Sequence, residues 1–258
     1  MDSAVLEQWR LAAELGSRGL YGQAEGIVTD LLASGDLHAR VLGEALLGSH
    51  RRQLGDPACA RFHDDLGLQA WEASSLEADW PYVDLLINRA ADAVGLGDLD
   101  DTGYWLRTAE ALAASGDPRT AVRAEWVRAE LLLARDEPAA ALAVLDGLQL
   151  PLARLRSPRH AVRSRMLRGS VLQALGEDDA ARVELDRALA DAVKGLWHSL
   201  VWPAALVRAR LARDGVERDR YLDIARAMIE LILLDLHPSR AAAFEATLPK
   251  EITPEIAG

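Results

Sequence analysis

Turn signals recur along this chain at nearly constant intervals, and that recurrence constrains the fold more than any other feature. Gly19, Gly55, Gly97, Asp136, Gly176 and Gly215 each close one helix-sized segment and open another, at successive spacings of 36, 42, 39, 40 and 39 residues. A unit of about forty residues holding two such segments cannot bury its apolar face alone, so units of this kind stack on one another. The text around the turns repeats as well. Leu54-Gly55-Asp56, Leu96-Gly97-Asp98 and Leu175-Gly176-Glu177 put glycine where one helix ends and an acid where the next begins.

Start signals agree with these cuts. Asp56-Pro57, Asp117-Pro118 and Ser157-Pro158 each place a capping oxygen before a proline whose missing N–H costs nothing in a first helical turn. Ser74-Ser75-Leu76-Glu77 fits a capping box and Asp79-Trp80-Pro81 another start, which makes 72–82 a connector. Helices are predicted over 3–18 and 20–34, 37–54 and 57–72, 80–96 and 100–115, 118–135 and 138–149, 158–175 and 178–195, and 199–213 and 217–236. A short final segment is predicted over 239–248. Val122, Trp126, Ala129 and Leu133 recur at the helical interval, and no stretch alternates as a strand does. With half the residues apolar and only 5% aromatic, the chain is expected to be all-α.

Small residues stand at matched places around the turns. Seven before each turn lie Ala12, Gly48, Ala90, Ala129, Gly169 and Arg208, and five after it Ala24, Ala60, Thr102, Ala141, Ala181 and Arg220. In this pattern, with Tyr21 two residues after Gly19, the chain from about residue 5 to 235 resembles a degenerate set of tetratricopeptide repeats. The resemblance implies a right-handed α-solenoid of about six antiparallel hairpins and 12–13 helices. It occupies 1–248 as one domain, with 249–258 a loose tail. The spacing exceeds that family's 34 residues and also fits a HEAT-like array. Either implies an extended concave wall, formed by the first helix of each pair, that holds a peptide or protein.

Charge and chemistry narrow the occupant. The 29 basic and 40 acidic residues leave a net charge of −11, which repels a phosphate backbone, so nucleic acid is not an expected partner. No apolar run approaches a membrane span, and the single cysteine, Cys59, beside Ala58 and Ala60, reads as buried packing in a cytoplasmic protein. None of the six histidines follows a glutamate by three residues and no two are four apart, so no helix-face metal pair arises. Asp98-Leu99-Asp100-Asp101-Thr102-Gly103 opens like a calcium loop, but its twelfth position is Ala109. Gly95-Leu96-Gly97 lacks the remainder of a phosphate-binding loop. Neither an enzyme nor a cofactor is expected.

One stretch departs from the acidic background. No acid lies between Gly147 and Gly176, where Arg154, Arg156, Arg159, Arg163, Arg165 and Arg168 fall. Such a surplus either grips an acidic partner or pairs with acids on adjacent helices. Carrying over the family's groove-facing positions turns Arg123, Trp126 and Glu130 inward on one helix and Arg163, Met166, Ser170 and Gln173 on the next. It also turns Ser49 and Arg52, Ile87, and Trp9 and Trp202 inward. The binding residues expected are therefore Ser49, Arg52, Arg123, Trp126, Arg163, Met166, Ser170 and Trp202. The partner is an acidic protein or peptide, held by a non-enzymatic scaffold or adaptor. The alternative is a sensor module that responds to a small effector or peptide and acts through a partner protein. Helix 217–236 is apolar on more than one face. Either 239–248 covers it with Phe244 and Leu248, or 217–248 is a homodimer interface.

Overall fold

The computed structural model describes residues 2–74, 77, 79–112 and 117–253. Among them there is no strand, and fourteen helices follow in order. They are α1 (Ser3–Ser17), α2 (Tyr21–Ala33), α3 (Leu37–Gln53), α4 (Pro57–Glu72), α5 (Trp80–Leu96), α6 (Leu99–Leu112) and α7 (Pro118–Ala134). Then come α8 (Pro138–Asp146), α9 (Gln149–Leu155), α10 (Pro158–Ala174), α11 (Asp178–Lys194), α12 (His198–Arg210), α13 (Gly215–Asp235) and α14 (Pro238–Thr247). No described helix is long and apolar enough to cross a membrane.

The turns carry the backbone the spacing demands. Gly19, Gly55, Gly97 and Gly176 lie at φ between 76° and 80°, and Asp136 reaches φ 61° at the equivalent turn. Aspartate is among the few side chains that enter this left-handed region readily. Gly215 differs from expectation: it is the first residue of α13, behind the cap Asp214, whose side chain accepts from the Glu217 amide (2.8 Å). The expected helix 138–149 is also divided. Gly147 ends α8, Leu148 is buried at the break, and Pro151 sits in the first turn of α9, where its missing N–H is harmless. This extra helix is why the count exceeds 12–13. Part of the capping-box reading at 74–77, the end of helix 100–115 and the last half of the tail, 254–258, lie outside the described residues.

The matched small residues sit where helices touch. Ala12, Ala90 and Ala129, and Ala24, Ala60, Thr102, Ala141 and Ala181, have no solvent exposure. A methyl added at Gly48 would lie 2.4 Å from Asp64, and one at Gly169 2.6 Å from Leu185. Arg208 breaks the pattern and is nevertheless buried. Its guanidinium spans Asp186 (2.8 Å) and Glu217 (2.5 Å) and lies over the Tyr221 ring.

Alternate helices form a circuit. α1 touches α3, α3 touches α5, α5 touches α7, α7 touches α10, α10 touches α12, and α12 returns to α1, while α2 meets α13. The returning seam is polar as well as apolar. Asp235, ending α13, accepts from the Gly22 amide (2.6 Å) and the Gln23 side chain (2.9 Å), so a carboxylate from the far end of the chain caps α2. Ser199 Oγ donates to the Ser17 carbonyl (2.8 Å) and Thr247 Oγ1 to that of Leu54 (3.3 Å). Tyr21 and Leu54 are buried in one apolar cluster with Val201, Leu222, Ile232, Phe244 and Ile252. α14 therefore covers part of α13, leaving Leu231 and Leu234 exposed.

Candidate functional site

The inner wall of this circuit encloses two adjoining chambers of about 430 and 370 Å³, which share Ser49, Gln53, Arg123, Trp126 and Arg159. The first lies among α1, α3, α5, α7 and α10; the second reaches across to Trp202 and Pro203 on α12. Of the residues expected from the sequence, Ser49, Arg52, Arg123, Trp126, Arg163 and Trp202 line these chambers. Met166 and Ser170 do not. They border a separate hollow of about 180 Å³ with Leu185 and Val207, where Met166 is a core residue at 6% exposure and Ser170 Oγ donates to its own helix at the Met166 carbonyl (3.3 Å). Arg163 and Glu130 border both spaces.

A chain of buried polar groups holds the wall. Arg52 pairs with Asp92 and with Asp64 (3.3 Å); Asn88 donates to Asp64 (2.8 Å) and accepts from Arg123 (2.6 Å); and Arg123 pairs with Asp84, which Arg119 also contacts at 2.5 Å. Burial, opposed by Arg52, raises the Asp64 carboxyl well above its usual range, and Asp92 shifts the same way. Burial also acts on Asp84, but Arg119 and Arg123 prevail and hold it below the usual value. Arg119 in addition lies 5.5 Å from both the Trp9 and Trp80 rings, a cation over two aromatic faces.

Beside this chain the wall carries an aromatic, neutral patch. Trp126 donates its indole N–H to Ser164 Oγ (2.8 Å) and stacks on His160 with centroids 5.3 Å apart. Burial, reinforced by Arg119, Arg123 and Arg159, lowers His160 to about 3, and burial lowers His50 to about 3. Both imidazoles are uncharged at neutral pH.

The arginine surplus expected over 154–168 divides. Arg163 pairs with Glu130 (2.5 Å), Arg165 with Asp191 (2.5 Å), and Arg168 with Asp146 and more distantly Glu184 (3.9 Å). Arg154 and Arg156 are exposed. Arg159 alone turns into both chambers. No described carboxylate pairs with it, and its Nε is buried without a hydrogen-bond partner. Burial, with Arg163 and Arg123 nearby, pulls its pKa below the usual arginine value, against the attraction of Tyr21 and Glu14.

The sequence reading placed Arg159 only within a charge run and left Arg119, His160 and Gln53 out. Both arginines stand one residue after the proline that opens their helix, at positions equivalent in α7 and α10, which is a signal that spacing alone carries. Cys59 is half-buried rather than buried, with the Arg240 guanidinium 4.0 Å away. Among the described residues no group of three or more His, Cys, Asp or Glu side chains is placed to hold a metal. No family model matches the sequence, and no curated protein resembles it significantly.

Proposed function

We propose that this protein is a cytoplasmic, non-enzymatic binding module of the tetratricopeptide type, a right-handed array of six helical hairpins that holds a short acidic peptide segment. The observation that carries the reading is the pair of chambers, lined by one helix from each proposed hairpin and rich in arginine within a chain of net charge −11. Their sizes fall in the range of sites that enclose small ligands or a few residues. The left-handed turns and the small residues at helix contacts favour the tetratricopeptide relationship. Because the wall is fixed by buried ion pairs and hydrogen bonds, little side-chain entropy is lost when a segment docks.

The contacts of α1 with α12 and of α2 with α13 favour a second reading. A ligand that fills the chambers touches both ends of the chain, so occupancy reinforces the seam and is transmitted to a partner as a sensor's signal.

Ser49 faces both chambers and belongs to no ion pair, so Ser49→Trp fills them without removing a member of the ion-pair chain. The immobilised protein is expected to enrich acidic sequences from a displayed random-peptide library. Ser49→Trp is expected to abolish that enrichment with the far-ultraviolet circular dichroism unchanged. Equal enrichment by the variant would refute the reading.

A further inference from the structure

We infer that the chamber between α1, α3, α7 and α10 is built for a phosphate monoester, gripped by Arg159. This rests on reading the chambers as the binding place, and it names the group received there.

The groups that face the chamber carry more positive than negative charge. Arg119, Arg123 and Arg159 bring three guanidiniums, and the more exposed Arg10 on α1 adds a fourth. The one carboxylate set among them is Asp84, which already serves both Arg119 and Arg123. Glu14, also on the wall, is engaged by Arg18 (3.0 Å). Four guanidiniums against the carboxylates of Asp84 and Glu14 leave a surplus of two positive charges facing the space. A carboxylate answers one of them; a phosphate monoester carries about −1.5 to −2 at neutral pH and offers three strong acceptor oxygens.

One of these donors is free to act. Arg159 has no ion-pair partner among the described residues, and its half-buried guanidinium, with Nε buried and unpartnered, faces a partly open hollow where an anion would satisfy it. Its planar fork suits two phosphate oxygens at once. The stacked Trp126–His160 pair beside it supplies an apolar face for whatever carries the phosphate.

The test uses the full-length protein with four probes: inorganic phosphate, glucose 6-phosphate, a phosphoserine hexapeptide and the same hexapeptide with glutamate in place of phosphoserine. Binding is read by phosphorus NMR, by isothermal titration and by the rise in melting temperature. Phosphate-bearing probes are expected to bind, and Arg159→Met to weaken them about tenfold or more. The exposed Arg165→Met serves as the control and should leave them unchanged. Arg159→Lys, which keeps the charge but not the fork, should fall between. Preference for the phosphopeptide places the phosphate on a protein; preference for glucose 6-phosphate places it on a small metabolite; both support the inference. Absence of phosphate binding, a glutamate peptide bound as tightly as its phosphoserine counterpart, or an Arg159→Met protein with undiminished affinity would each overturn it. If acidic peptides are captured in a Ser49-dependent way while phosphate is not, the inference fails and the binding module stands.

Discussion

At the scale of single residues, the molecule places ionisable groups where burial governs their state. His50 is 1% exposed, edge-on to the Tyr21 ring and against Gly16, where an added methyl would lie 2.2 Å from its Nε2. In the folded protein it stays neutral down to about pH 3. Unfolded, it takes a proton below about pH 6.5. The unfolded state thus binds more protons across that window, and the stability His50 contributes falls as pH falls from about 6.5 towards 3, by up to about 1.4 kcal/mol per pH unit. Asp64 works the other way: its raised folded value gives a contribution present below its unfolded value and lost as pH rises through the folded one. Comparing wild type with His50→Gln isolates the histidine, since Asp64 is common to both. Urea unfolding at stepped pH should find the variant less stable at pH 7 and flatter between pH 6.5 and 4. Parallel curves would show that His50 does not govern the acid limb.

At this same scale the sequence was legible where a residue type has one dominant use. Prolines behind Asp56, Asp117 and Ser157 open helices, and four of the five turn glycines, Gly19, Gly55, Gly97 and Gly176, adopt left-handed backbone. Arg159 was not legible as a site because its neighbours Arg163, Arg165 and Arg168 found acids on other helices while it did not. Partnering across helices is a tertiary fact that spacing does not encode. Met166 was misplaced for a related reason: inward on a helical wheel covers both a wall facing space and a wall facing the next helix.

At the scale of elements, boundaries from capping and periodicity agree with the helices to within a few residues, because Pro, Gly and Asp act within one turn. Where they fail, at α8–α9, the break is a matter of Leu148 being buried, which depends on the neighbours of α8. The seam was not legible at all, since it joins Gly22 and Asp235 across the length of the chain. It makes a sharp prediction. A methyl at Gly22 would sit 2.0 Å from the Asp235 carbonyl oxygen, which is backbone and cannot step aside. Gly22→Ala should therefore lift α2 from α13. Asp235→Ala removes the cap and should cost about 1 kcal/mol. Hydrogen exchange should quicken in α1, α2 and α13 in both variants and stay unchanged in α5–α7. Uniform exchange throughout would show that the seam bears no load.

At the scale of the whole molecule, an open row of repeats unfolds from its ends, each unit coupled only to its neighbours. A row whose first and last hairpins touch, α1 against α12 and α2 against α13, has no free end, so denaturant unfolding should be a single transition in wild type and broaden in Gly22→Ala. Phe244 is 2% exposed, edge-on to Trp202 of α12 in the apolar cluster that also holds Leu222 and Ile232 of α13, with Leu248 packed against that cluster, and this cover leads us to expect one copy in solution with a scattering mass near 28.0 kDa. Twice that mass would identify Leu231 and Leu234 as a seam between copies.

The central claim is that the inner wall does the work, and the seven tryptophans report on it directly. Trp9, Trp126 and Trp202 line the chambers, whereas Trp71 and Trp105 pack between helices away from them. With the protein labelled in nitrogen-15 and the indole N–H signals assigned, an acidic phosphoserine peptide should shift Trp9, Trp126 and Trp202 and leave Trp71 and Trp105 in place. Shifts confined to Trp71 and Trp105, or to none of the five, would contradict the account.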